Sequence, residues 1–443
     1  MTHEKTSRKN DAFSRIRAEE LAQLTSELID IPSSTGHEEA VALYLADRFR
    51  AAGLKTTLQE VEPGRLNVVG RLEGNGTGQH LLYLGHTDTT WSGDEEGIAD
   101  LGPGFKPHAI RDGDWIHGMG AYNMKSGLAS MVHAVEAIAK AQPSGLNGDL
   151  IIAGVVGETV RCQVGRHQGS NFRGTGAGAM HLVNAGVTAD AAVIAEPTKG
   201  LIDIATGGLM LFEVISRAAP RATYRRAGES DRIWPPDAIE KAIVISEKVS
   251  EWAPGFIARS AYKGEALGNV SFLAVEGGHP WRPSKAATFC RSYFEIDILP
   301  GVNQTDVEVE FRNMVRGITL AGEAACTEVN LVHNVAAAEA GDGGVLVKHL
   351  SDAHRAIVGR EAQTVVEAWY CDSTPLTRSG IPTLVYGPGG RAFDRIDNQY
   401  SAQGEACYIP DLVEGSRVFV ELAYDVCNSP RQQSSRASGT VVR

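Results

Sequence analysis

The six cysteines, Cys162, Cys290, Cys326, Cys371, Cys407 and Cys427, are scattered, and no two form a Cys-x-x-Cys pair. That spacing argues against a cysteine-based zinc site and a disulfide framework. Buried free thiols in a reducing cytoplasm are expected instead. Positive charge is scarce: 42 Lys and Arg stand against 54 Asp and Glu, a formal net charge of -12. This balance argues against nucleic acid and against anionic membranes as main partners. No apolar run reaches the length of a membrane span, and Met1 to Asn10 lacks the apolar core of a signal peptide. A cytoplasmic location follows as an expectation. There is no internal repeat and no low-complexity segment. Residues 431–443 are rich in Ser and Arg and read as a disordered tail.

What is present is an ordinary globular chain of 443 residues, 43% apolar and 22% charged, long enough for two domains. Helical periodicity covers Ser14 to Ile31 and, after Pro32-Ser33-Ser34-Thr35-Gly36, Glu38 to Ala52. Strand-like segments follow at Lys55 to Val61, Asn67 to Leu72 and Leu81 to Gly85, then a helix from Met124 to Ala139. The runs Leu150 to Val156 and Ala191 to Ala195 are fully apolar, the mark of strands buried on both faces. Such strands alternating with helices indicate an α/β domain with a largely parallel sheet. From about Gly207 the strands alternate instead, and the order strand-helix-strand-strand-helix-strand is ferredoxin-like. The expected layout is a core α/β domain of residues 1–204 and 326–430, split by an inserted α+β domain of residues 205–325.

The chemistry gathers where apolar strands end. Leu81-Leu82-Tyr83-Leu84-Gly85 runs into His86-Thr87-Asp88. A neutral imidazole there can bind a metal, and a carboxylate two residues on can fix its ring. Asn123 stands at the start of the next helix, a place for a metal ligand, a substrate contact or a cap. Glu158, in Val156-Gly157-Glu158-Thr159, follows the second strand, where partial burial can tune a carboxylate into a general base. Glu196 follows the third, in Ala195-Glu196-Pro197-Thr198.

These motifs, with Gly118-Met119-Gly120-Ala121-Tyr122-Asn123-Met124-Lys125-Ser126-Gly127, resemble the family of acetylornithine deacetylase, succinyl-diaminopimelate desuccinylase, aminoacylase and glutamate carboxypeptidase. The resemblance covers nearly all of the chain except its tails. It implies a split α/β domain, an inserted lid or dimerisation domain, and two metal ions. It implies metal ligation by His86 and Glu196, an orienting role for Asp88, and proton abstraction from water by Glu158. Four positions depart from the pattern. Asn123 stands where the family's bridging aspartate should be, and Thr159 replaces the glutamate of the second ion. No histidine follows Tyr386-Gly387-Pro388-Gly389, and Ser401 or Phe393 takes the place of the terminal histidine ligand. Ala222, in Pro220-Arg221-Ala222-Thr223-Tyr224, replaces the histidine that steadies a tetrahedral oxyanion.

The expected cofactor is therefore one labile divalent ion, manganese or zinc, held by His86, Glu196 and the Asn123 amide oxygen. The expected reaction is hydrolysis of a C–N bond in a small carboxylate-bearing substrate. Its specific form would be deamination of an aromatic amine of the 5-nitroanthranilate type. An N-acyl-amino-acid deacylase or dipeptidase with substitute ligands is the alternative, and a non-catalytic binding homologue the third reading. The resemblance also implies a homo-oligomer. His117 and His167 lie near the site segments as replacement ligands. Arg161, Arg166, Arg173 and Arg225 could anchor a carboxylate, and Trp91, Trp115 and Tyr122 could line a pocket.

Overall fold

A computed structural model describes residues 2–229, 233–340, 344–391 and 404–431. The chain divides into two compact units. The first comprises Met1–Ile204, Ala340–Val365 and Cys371–Arg443, and the second Ala205–Glu339 and Val366–Tyr370.

The first unit is built on a mixed eight-stranded sheet. At its centre Leu150–Val155, Leu81–His86, Ala191–Ile194 and Thr383–Val385 lie side by side in parallel. Every residue of these four strands is buried. This explains their unbroken apolar runs: with both faces covered there is no solvent side to carry polar residues. One flank is antiparallel, through Arg65–Leu72 and Lys55–Glu62. Helix Lys125–Ala141 packs on the sheet and against the terminal helix Ile409–Asn428. A further helix, Thr2–Ser14, lies at the polar N-terminus, where the sequence suggests no element. It is held by tertiary contacts more than by an apolar stripe: Ala12 is buried and Lys9 pairs with Glu421 at 2.8 Å.

The second unit carries a four-stranded antiparallel sheet in the order Val270–Gly277, Phe289–Ile298, Gly208–Arg217, Glu328–Val335. Met210, Phe212 and Val214 alternate inward with Phe294 and Ile296, and pack with Phe311 and Phe256 from two helices. Those helices are Ala238–Arg259, opened by an Asp237/Glu240 capping box, and Gln304–Arg316. The order of elements is ferredoxin-like. One boundary differs from the sequence reading. A bound at 325 cuts off the closing strand of the ferredoxin-like order, Glu328–Val335, which pairs with Gly208–Arg217 along seven residue pairs. The second unit therefore continues to Glu339 rather than ending at 325. Strand alternation alone does not say which sheet a strand joins. The tail from 432 onward, and Phe393 and Ser401, lie outside the described residues.

Candidate metal centre

Three adjacent parallel strands deliver the site. His86 ends the strand Leu81–His86, Glu158 lies three residues beyond Leu150–Val155, and Glu196 two beyond Ala191–Ile194. Open α/β sheets place ligands at the carboxyl ends of their strands, and these three side chains meet there. One donor atom from each of His86, Glu158 and Glu196 lies within 4.8 Å of the others, and all three residues are buried. His86 Nε2 is 3.6 Å from Glu158 Oε2 and 3.6 Å from Glu196 Oε1. Asn123 Oδ1 lies 2.9 Å from the same nitrogen.

Two backbone features make this approach possible. Gly157 has φ +63, and the turn it makes aims the Glu158 and Thr159 N–H groups at Asp88. Gly127, in the first turn of helix Lys125–Ala141, passes so close to the third strand that a Cβ would stand 1.9 Å from the Ala195 oxygen. Asn123, just before that helix, is thereby brought beside the strand ends. Glu405 fixes the same segment, accepting hydrogen bonds from the Tyr122 and Asn123 N–H groups at 3.0 Å each.

Asp88 orients the imidazole. His86 Nδ1 lies 2.9 Å from the Asp88 carbonyl oxygen and 3.4 Å from its carboxylate. A proton on Nδ1, donated to that carbonyl, leaves the Nε2 lone pair facing Glu158, Glu196 and Asn123. The Asp88 carboxylate is itself tied down. It accepts from the Thr159 hydroxyl at 2.6 Å, the Thr35 hydroxyl at 2.9 Å and the Glu158 N–H at 3.0 Å. The Thr35 and Thr159 hydroxyl oxygens stand 2.5 Å apart beside that carboxylate. Thr159, standing where the family pattern has a glutamate, thus spends its hydroxyl on Asp88.

The charges follow from this crowding. Burial alone would raise the Asp88 pKa, but His86, Thr159 and the Glu158 N–H hold it well below the usual carboxylate range. Burial would discharge His86, yet Glu158, Asp88 and Glu196 hold its pKa well above the ordinary value. Burial pushes Glu158 well up, against the pull of His86 and with the help of Glu196 and Asp372. Burial and Asp88 raise Glu196. A buried imidazole surrounded by carboxylates fits a divalent cation, and Glu196 Oε1 is buried without a hydrogen-bond partner. The donor set therefore suits the ion that the fold family implies.

Other sequence candidates fall elsewhere. Among the described residues, neither His117 nor His167 joins the ligand cluster. Arg161 donates to the Thr90 and Asn171 carbonyls, and Arg173 to Glu62. Trp115 packs on Tyr408 and under Arg391, and the Tyr122 hydroxyl donates to the Pro197 carbonyl. Two residues escaped the sequence reading. Glu405 stands in Ala402-Gln403-Gly404-Glu405, where no apolar run leads into it. Asp372, whose charge bears on Glu158, stands in Cys371-Asp372-Ser373-Thr374-Pro375, which reads as an ordinary helix cap.

Residues 82–425 match peptidase family M20/M25/M40. The chain is similar to the N-formyl-4-amino-5-aminomethyl-2-methylpyrimidine deformylase of Bacillus subtilis (strain 168), 25% identical over 94% of this chain and 96% of the relative. It is also similar to the succinyl-diaminopimelate desuccinylase of Corynebacterium glutamicum, 26% identical over 84% of this chain and 88% of that one. In fold it resembles a tripeptidase from Staphylococcus aureus, with a TM-score of 0.69 at 18% identity, covering 93% of this chain and 99% of that one. The chain belongs to peptidase family M20/M25/M40. It is an enzyme of the hydrolase class acting on C–N bonds, in a metal-dependent family.

Proposed function

We propose that this protein hydrolyses a C–N bond of a small carboxylate-bearing substrate with one divalent ion, manganese or zinc, per chain. The observation that carries this reading is the buried meeting of His86, Glu158 and Glu196. His86 Nε2, Glu196 and the Asn123 amide oxygen would hold the ion. When bound, it would supply Lewis-acid polarisation of water and substrate. Glu158, lifted by burial and neighbouring carboxylates, takes the proton from the attacking water and returns it to the departing nitrogen. Asp88 keeps His86 in the tautomer that presents Nε2. Thr159 offers no carboxylate to a second ion, and its hydroxyl is engaged by Asp88.

The specific reaction we propose is release of ammonia from an electron-poor aromatic amine. Negative charge would then develop on the ring rather than on a carbonyl oxygen, so Ala222 in place of an oxyanion-steadying histidine costs nothing. Amide hydrolysis is the second reading, supported by the relatives, a deformylase and a desuccinylase. Retention of Glu158 beside His86 and Glu196 weighs against a non-catalytic homologue. The test is a metal-supplemented assay of ammonia and carboxylate release over paired panels of aromatic amines and N-acyl amines. Ammonia from the first panel is expected, carboxylate from the second would favour the alternative, and silence from both would overturn the proposal.

We also propose a homo-oligomer formed through the second unit. Among the described residues its strand Val270–Gly277 pairs on one side only, and it exposes Phe272, Leu273 and Val275. An open apolar strand edge is a template for pairing with a second copy.

A further inference from the structure

Among the described residues, Asp372 is a buried carboxylate bordering the site with both oxygens lacking a hydrogen-bond partner. It precedes the short helix Ser373–Arg378 at the cap position, but its side chain makes no capping hydrogen bond. It is fully buried, and neither carboxylate oxygen has a hydrogen-bond partner. Buried polar groups are almost always paired, so an orphan of this kind asks for a partner that arrives with a ligand. Asp372 faces the catalytic cluster electrostatically: its charge bears on Glu158, and the charges of His86, Asp88 and Glu196 bear on it. It stands outside the set of donors that lie within 4.8 Å of one another.

Among the described residues, three cations on the segments that build the site are committed elsewhere. Lys125 donates to the Leu28 and Ile31 carbonyls at 2.7 and 2.8 Å. Arg161 and Arg173 are engaged with backbone carbonyls and Glu62. Asp88, Glu158, Glu196 and Asp372 make four carboxylates around one imidazole. A single divalent ion leaves that group short of positive charge and of hydrogen-bond donors.

We propose that Asp372 receives the amino group of the substrate, so that the enzyme selects small molecules carrying an N–H donor at the carbon under attack. This rests on the hydrolase reading above and makes Asp372 a specificity-determining residue for it.

The test is binding, independent of turnover. Isothermal titration of the manganese-supplemented full chain with anthranilate and with benzoate compares ligands that differ by one amino group. The wild-type protein is expected to bind anthranilate at least about tenfold more tightly, as a hydrogen bond to a charged group implies. Asp372→Asn is expected to reduce the preference to about twofold or less while keeping its metal content and circular dichroism. Asp372→Ala, which leaves no acceptor, serves as the second variant should the first misfold. Equal affinity of wild type for both ligands, including no binding of either, overturns the proposal. So does a preference that survives in both variants. A loss of bound manganese in the variants would make Asp372 part of the metal centre instead, and also overturns it. Failure of ammonia release with the binding preference intact would sink the hydrolase reading alone.

Discussion

Glu158 and His86 lie 3.6 Å apart, yet their removal should act differently. Glu158→Gln keeps shape and hydrogen bonding and removes the proton acceptor. Turnover is expected to fall by roughly two to four powers of ten, with metal content unchanged. His86→Ala removes a ligand, so its loss of turnover should be partly restored by excess metal, as that of Glu158→Gln should not. Steady-state assays across a metal titration check both. Acidity gives a second prediction. In the metal-free protein the pKa values of Glu158, Glu196, Asp372 and His86 all lie above their ordinary values. The folded state then binds more protons than the unfolded one, and stability falls as pH rises through these shifted values. Asp88 has the opposite sign, but its contribution is lost only on acidification below the usual carboxylate range. Metal binding displaces those protons, so the gain in thermal midpoint on adding metal to chelated protein should be larger at about pH 8 than at about pH 5. A gain that shrinks over that range would contradict the charge assignment. His86, Asp88, Glu158 and Glu196 were legible because each sits at the end of an apolar run. Asp372 was not, since its neighbours Ser373, Thr374 and Pro375 spell a helix cap that its side chain does not make.

Among elements, the loop after Glu158 depends on a buried arginine packed behind it, against Gly157. Arg65, fully buried on its strand, pairs with Glu38 at 2.6 Å and with Glu62 at 2.8 Å. It also donates to the Ser170 and Arg173 carbonyls at 3.1 and 2.8 Å. Removing one partner of a buried ion pair strands the other charge, so Arg65→Ala should cost about 3–5 kcal/mol, measured by urea unfolding. Hydrogen exchange should quicken first over residues 158–176. An unchanged urea midpoint would contradict this. The central strands were readable because burial on both faces leaves an unbroken apolar run. Helix Ala238–Arg259 continues past an internal proline. Pro254 obscures that extension, which the stacking of Trp252 on Phe256 and its contact with Phe311 supports. Strand Glu328–Val335 completes the ferredoxin-like order, and only the domain bound at 325 fell short of it, because periodicity marks elements and not where one unit hands over to the next.

For the whole molecule, the exposed edge at Val270–Gly277 gives an expectation for assembly. Sedimentation equilibrium should show a dimer, and Leu273→Lys with Val275→Lys, which place charges on that edge, should shift it toward monomer. A wild-type chain that stays monomeric would contradict the proposed oligomer and leave the chemistry untouched. That chemistry turns on the number of ions. His86, Glu196 and Asn123 offer ligands for one, while Thr159 is turned to Asp88 and no histidine follows His354 in the sequence. The decisive measurement is elemental analysis of the full chain after equilibration with excess manganese or zinc and rapid desalting. About one ion per chain, exchangeable and removed by mild chelation, is expected. Two tightly held ions per chain would contradict the single-ion hydrolase.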